Sequence, residues 1–206
     1  MSLFIAICGG CAFFILALSS KKHKVLPMLS KGMHIEILTA RDLPALLLLQ
    51  KQITDAPETR YFLKDRNDDD WARILANNDY VVYGIFDKEK LIASATIHFP
   101  NGVYKHDISE FKPVPDTEMA IFQAVMVDTD YRGMGLMRIL QDMRKGAAIR
   151  RKRGKIICKI SVDNKNSWKN TINYGFHCVE VAKDDTGHDK MYFIKKLKLE
   201  QTFFAK

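Results

Sequence analysis

Cysteine is scarce in this chain. Cys8, Cys11, Cys158 and Cys178 are the only four in 206 residues. That is too few and too scattered for a disulfide scaffold, so a reducing compartment is expected. Proline and glycine are also sparse, at 6 and 11 residues, which excludes a collagen-like or low-complexity chain. No internal repeat is visible. Acidic residues are missing from positions 1–32 while four lysines are present, so this segment holds half of the formal net charge of +8. The rest is mildly basic, which suits a binder of an anionic small molecule better than a dedicated nucleic-acid binder. What remains is ordinary: 47% hydrophobic and 27% charged residues. That balance excludes a disordered or multi-spanning chain, and the length predicts one domain with a sizeable core.

The first 32 residues stand apart. Leu3 to Leu18 is a run of 16 residues without a charge, about 24 Å long as a helix against a hydrocarbon core of roughly 30 Å. No positive side chain precedes it, as a cleavable signal peptide would require. Lys21, Lys22, His23 and Lys24 follow it instead. Two readings stay open. Residues 3–18 anchor the protein to the inner face of a membrane, with everything after residue 20 cytoplasmic. Alternatively, residues 1–32 are a leader upstream of a start at Met28 or Met33. The Cys8-x-x-Cys11 spacing lacks partner ligands and reads as small apolar residues, not a metal site.

From residue 33 the pattern is regular. His34–Leu38 alternates as a strand. Asp42 is placed to cap a helix with Pro44 in its first turn and Leu46–Leu49 on its buried face, and Pro57 closes that unit. A short helix is predicted over 69–77, then a hairpin of 80–86 and 91–99 around Asp87–Lys90. Residues 100–117 form a long loop rich in turn residues. Met119–Val127 is apolar except for Gln123, as in a strand buried on both faces. Leu136, Ile139, Leu140, Met143 and Ala147 make one helical stripe. A strand over 155–162, a helix over 164–173 and a hairpin of 179–181 with 191–197 complete a mixed α/β domain.

Chemistry concentrates where the 119–127 strand hands over to the following helix. The segment Val127-Asp128-Thr129-Asp130-Tyr131-Arg132-Gly133-Met134-Gly135-Leu136 carries two glycines in a short loop. Free N–H groups and the positive end of the helix dipole meet there, which suits a phosphate or pyrophosphate. A dinucleotide fold would need a third glycine where Arg138 stands. A nucleotide P-loop would need Gly-Lys-Ser/Thr, which is absent. A plain strand-to-helix turn is the remaining alternative.

The segment resembles the acetyl-CoA signature of the GNAT superfamily of N-acyltransferases, Q/R-x-x-G-x-G/A, with Arg132, Gly133, Met134, Gly135, Leu136 and Met137 in its positions. Asn164-Lys165-Asn166-Ser167 followed by Tyr174-Gly175-Phe176 is similar to the family's N-x-x-A/S helix ending in Gly-Phe. The order of elements fits as well, and the resemblance covers residues 33–197, so residues 33–206 are read as the GNAT-like domain. It implies an α/β (α+β) fold with a mixed central sheet of about six to seven strands flanked by helices. It also implies acetyl-CoA as co-substrate and a small-molecule or peptide amine as acceptor. Main-chain groups of Val125, Met126 and Val127 would pair with the pantetheine arm. The N–H groups from Arg132 to Met137 would hold the pyrophosphate, with Asn164 and Ser167 as distal contacts. The amine would attack the thioester directly, its carbonyl polarised by a strand N–H.

The chain departs from the family pattern at three positions. Met137 replaces the third small residue of the signature. Thr171 stands where a tyrosine proton donor is frequent, and an aliphatic hydroxyl is a far weaker acid. Ile121 stands where the family's glutamate base is frequent, with Glu118 three residues earlier. Glu118 and Thr171 are the catalytic candidates. The rival class is a non-catalytic acyl-CoA-binding or membrane-tethered interaction module on the same fold.

Several other residues carry bland readings. Arg150-Arg151-Lys152-Arg153 reads as a solvated helix end whose cations complement the dipole, not as a nucleic-acid footprint. Cys158 and Cys178 read as small strand residues. His98, His106, His177 and His188 have no metal-ligand spacing. The acceptor pocket is expected from residues 57–68 and 100–117, including Tyr104 and His106. Under the anchor reading, the full-length chain should fractionate with membranes, while a chain lacking residues 1–32 should stay soluble and folded by circular dichroism. Both forms in the soluble fraction would remove the anchor.

Overall fold

Apolar runs set the strands, and the computed structural model joins seven of them into one sheet. It describes residues 29–55, 66–101, 118–184 and 187–199. The elements are β1 (Met33–Ile37), α1 (Leu43–Thr54), α2 (Asp68–Ala76), β2 (Tyr80–Asp87), β3 (Lys90–His98), β4 (Met119–Val127), α3 (Leu136–Arg150), β5 (Lys155–Ser161), α4 (Lys165–Asn173), β6 (His177–Lys183) and β7 (Asp189–Lys196). The sheet order is β1-β2-β3-β4-β5-β7-β6. All neighbours are antiparallel except β4 and β5, which run parallel because α3 crosses between them. The predicted α/β class and strand number hold.

One face of the sheet packs α3 through Ala93, Ala95, Ile97, Phe99, Ala120, Phe122, Leu140 and Ala148. The other packs α1 and α2 through Leu38, Leu46, Leu49, Trp71, Val82 and Met126. Contacts begin before Met33. Leu29 packs on the α3-side cluster, and the Gly32 carbonyl accepts the Lys88 N–H at 3.3 Å. Among the described residues no helix is long and apolar enough to cross a membrane. The run Leu3–Leu18, Cys8, Cys11, Pro57, Tyr104 and His106 lie outside the described residues.

Some local expectations are corrected. The Asp42 carboxylate does not cap α1. It turns back to the Thr39 N–H at 2.8 Å and the Thr39 hydroxyl at 3.0 Å, closing a 3₁₀ turn ahead of the helix. The α2 N-cap is Asn67, whose side chain accepts the Asp70 N–H at 2.8 Å. The closing hairpin is longer than its apolar core, since polar His177, Glu180 and Lys183 lie on the exposed edge strand β6. The basic run after α3 is more than a solvated end. Arg150 donates to the Tyr83 hydroxyl at 3.3 Å, Arg151 to the Asn78 carbonyl at 2.9 Å and Arg153 to the Pro100 carbonyl at 3.3 Å. Arg151 also stacks 4.1 Å over Phe99. Cation–π contacts and carbonyl acceptors thus fasten the end of α3 to the β2–β3 hairpin.

Gln50 is the polar linchpin of the α1–α2 layer. Its buried side chain accepts the Trp71 indole N–H at 2.8 Å and donates to the Arg66 carbonyl at 2.7 Å. Gln50→Leu keeps the bulk but strands both groups in an apolar layer, so unfolding free energy should fall by about 1–3 kcal/mol in denaturant titration.

Candidate functional site

A break in the sheet creates the site. The parallel pairing of β4 with β5 covers only Met119, Ala120 and Ile121 against Lys155, Ile156 and Ile157. Beyond Ile121 the two strands diverge. On its other edge β4 slips register against β3. Thr96 faces Gln123 and Ser94 faces Met126, so Ala95 alone stands opposite Ala124 and Val125. This is a β-bulge, and Ala124 takes φ +40° to make it. Ala124 and Val125 therefore have no ladder partner on either side.

The divergence opens a cleft of about 800 Å³, lined by β4, the loop after it, the start of α3, β5 and α4. That is the size range of small-ligand sites. The loop is built to leave main chain exposed. Gly133 at φ +81° has open space where a Cβ would stand. Gly135 at φ +78° is the N-cap of α3. Left-handed backbone at both positions favours glycine, and the start of α3, the positive end of its dipole, lies at the cleft.

Neighbouring side chains hold this loop in place. Lys90 pairs with Asp128 at 2.8 Å, Asp128 accepts the Asp130 N–H at 3.1 Å, and the Tyr131 hydroxyl donates to Asp87 at 3.0 Å. Burial pushes the Asp128 carboxyl up, but Lys90 and the Asp130 N–H outweigh it and hold it below its ordinary value. Asp128 thus stays a carboxylate and keeps capping the turn.

Of the predicted residues, Val125, Met126, Val127, Arg132, Gly133, Gly135, Leu136, Met137, Asn164, Ser167 and Thr171 all border the cleft. The side chains of Met126 and Leu136 are buried in the core, so these two residues offer mainly backbone to it. Asn164 caps α4, its side-chain oxygen accepting the Ser167 N–H at 3.1 Å. Met137 reaches across the mouth, with Asn170 Nδ2 3.8 Å from its sulfur. Thr171 is buried in the wall. Two candidates are not brought in: the exposed Met134, and Glu118, which pairs with Lys155 at 3.5 Å. Glu118 sits where β4 and β5 are still zipped together, ahead of the divergence. No carboxylate lines the cleft among the described residues.

Sequence reasoning passed over Gln123, Arg138, Gln141, Arg144, Cys158, Lys159 and Tyr174, which also line it. Arg144 lies four residues after Leu140 and three before Ala147, so its place on the buried stripe was a readable signal. Burial lowers its guanidinium to about 10, leaving it a cation at neutral pH. The Tyr174 hydroxyl donates to Asp142 at 2.6 Å. Burial and then that bond push its pKa up, which makes it a poor proton donor.

Residues 45–176 match the family described as "Acetyltransferase (GNAT) family". Solved structures share the fold. A probable acetyltransferase from Staphylococcus epidermidis is 20% identical, with a TM-score of 0.66 over 81% of this chain and 99% of its own. The ribosomal-protein-S18-alanine N-acetyltransferase from Escherichia coli is 15% identical, with a TM-score of 0.60 over 84% and 99%. The ribosomal-protein-alanine N-acetyltransferase from Brucella melitensis is 20% identical, with a TM-score of 0.61 over 80% and 99%. No curated protein matches the sequence.

The two described cysteines should differ sharply in reactivity. Cys158 is buried in the cleft wall, and burial pushes its thiol up to about 12, whereas Cys178 is exposed. At pH 8 a thiol of that pKa is thiolate in only about one molecule in 10⁴. Iodoacetamide should therefore modify Cys178 and spare Cys158 in the folded protein, as mapped by peptide mass spectrometry. Equal labelling would show that the wall is open.

Proposed function

The chain belongs to the GNAT acetyltransferase family, and from that premise we propose that it moves an acetyl group from acetyl-CoA to a primary amine by direct attack. The observation that carries this reading is the divergence of β4 from β5, with unpaired main chain at Ala124–Val125 and a glycine-rich helix start at its end. Strand-like main chain suits the amides of a pantetheine arm. The Arg132 N–H is given to the Thr129 carbonyl at 3.3 Å, so the N–H groups over Gly133–Met137 are the ones that suit its pyrophosphate, and the nearby cations Arg132, Arg138 and Lys159 add charge complementarity. Asn164 acts through its cap, presenting the first turn of α4, and Ser167 adds a hydroxyl.

In the reaction the amine nitrogen bonds to the thioester carbon while an unpaired N–H of β4 stabilises the oxyanion. The C–S bond then breaks and the CoA thiolate leaves. The amine's proton passes to water and from water to the thiolate, with the Thr171 hydroxyl orienting that water. No covalent enzyme intermediate is needed. A thiolate is a fair leaving group, so transfer tolerates the want of a strong acid–base pair.

The absence of a carboxylate among the described lining residues favours one rival, a non-catalytic acyl-CoA-binding module. Thiol release from acetyl-CoA with a panel of small-molecule and peptide amines separates the two. Tight CoA binding without turnover supports the rival. If residues 3–18 insert, either activity would work at the inner face of a membrane.

The loop gives the sharper test. Gly135→Glu adds a side chain at φ +78° and a like charge against the anion. CoA affinity should fall at least ~10-fold, about 1.4 kcal/mol, by calorimetric titration. Arg132→Ala should weaken it less, because Arg132 is exposed and the N–H groups stay in place. Unchanged affinity in folded Gly135→Glu protein would sink the acyl-CoA reading.

A further inference from the structure

Arg144 is the one fully buried guanidinium among the described residues, and the mechanism above leaves it unused. It rises from the middle of α3 under the cleft floor. Its Nη1 donates to the Thr96 carbonyl at 3.2 Å and to the Gln123 carbonyl at 3.3 Å. Thr96 and Gln123 are a facing pair of β3 and β4, the last before the bulge. The guanidinium lies 4.0 Å over the Phe122 ring, and Nε has no hydrogen-bond partner. Among the described residues no carboxylate pairs with it; the nearby Asp142 is occupied by Arg138 and Tyr174.

Burying a cation without a counter-charge is unfavourable. Two carbonyls and one ring face offset only part of that cost. What the cation holds is the point where the sheet stops being regular. A non-glycine residue at φ +40° is strained, and such strain persists only where the surroundings over-determine it.

We propose that Arg144 is a positioning residue for acyl transfer, clasping the Thr96 and Gln123 carbonyls so that the Ala124 bulge is held and the unpaired β4 main chain stays aimed into the cleft. The clasp has a second consequence. A carbonyl that accepts a hydrogen bond from a cation polarises its own peptide, so the Gln123–Ala124 amide gains strength as a donor. This inference rests on the acyltransferase reading for its kinetic consequence but not for its structural one.

The test therefore has two readouts. In Arg144→Met, which keeps an apolar stem of similar length, amide hydrogen exchange over residues 123–126 should speed up relative to the rest of β4. Thiol release should show kcat lowered by about 10²-fold, as expected for a misplaced reacting geometry. CoA affinity, to which the glycine loop contributes as well as the β4 main chain, should fall much less than kcat. Arg144→Lys retains a cation and one donor and should recover part of both losses. Wild-type exchange and wild-type kcat in folded Arg144→Met overturn the proposal. So does a loss that falls on CoA affinity and not on kcat. If the wild-type protein releases no thiol with any amine, the acyltransferase reading fails, and the exchange arm alone decides the clasp. If Arg144→Met does not fold, Arg144→Lys carries both readouts, and wild-type values there are fatal to the proposal.

Discussion

The divergence of β4 from β5 is the constraint on which everything else depends. Parallel strands buried on both faces normally stay paired to their ends, because unpaired backbone is costly to bury. Here pairing stops after Ile121, and β4 also slips against β3 two residues later. One strand thus loses ladder partners on both edges within a few residues. The neighbours compensate on every side. β3 closes the register again at Ser94, α3 sends Arg144 into the gap, and the helix start after Gly135 covers the far end. The cleft is the remaining unsatisfied part of the sheet.

That arrangement separates rigid from adjustable parts. β4 and α3 share a core whose members Ala93, Ala95, Ala120 and Ala148 are small, so α3 lies close to the sheet. Close packing fixes the helix start relative to the strand end. The loop between them cannot drift either, since Lys90–Asp128 and Tyr131–Asp87 tie it to the β2–β3 hairpin. A preorganised anion site needs such a frame, because N–H groups that must reorganise lose most of their advantage.

Much of this was legible in the sequence. β4 and the start of α3 fall where the apolar run and the glycine loop predict, since a doubly buried strand and an amphipathic helix have strong periods. The cleft-lining residues of the two motifs were legible for the same reason. Glu118 was not, because periodicity is blind to where two strands part. Counting along β4 cannot tell a zipped position from an open one. Asp42 misled because its carboxylate has two local partners, and tertiary context chose the backward one at Thr39. Arg144 was hidden by residue type. Arginine on a helix reads as surface, and only its register with Leu140 and Ala147 marks it as buried.

The positive charge tells the same story from another side. A net charge of +8 suggests a basic surface, yet several arginines around α3 are held by specific partners. Arg150, Arg151 and Arg153 are committed to carbonyl, hydroxyl and ring partners at the end of α3. Arg144 is enclosed. Arg132, Arg138 and Lys159 border the cleft, whose described lining holds no carboxylate. Arg138 is partly offset by Asp142 at 3.3 Å, and Arg132 interacts with the Asp128 carboxylate across the loop. A field focused in a cleft with a low-dielectric floor attracts an anion far more selectively than the same charge spread on a surface. Half of the net charge lies in residues 1–32, and around α3 the cations divide between fastening the scaffold at the helix end and bordering the cleft at its start.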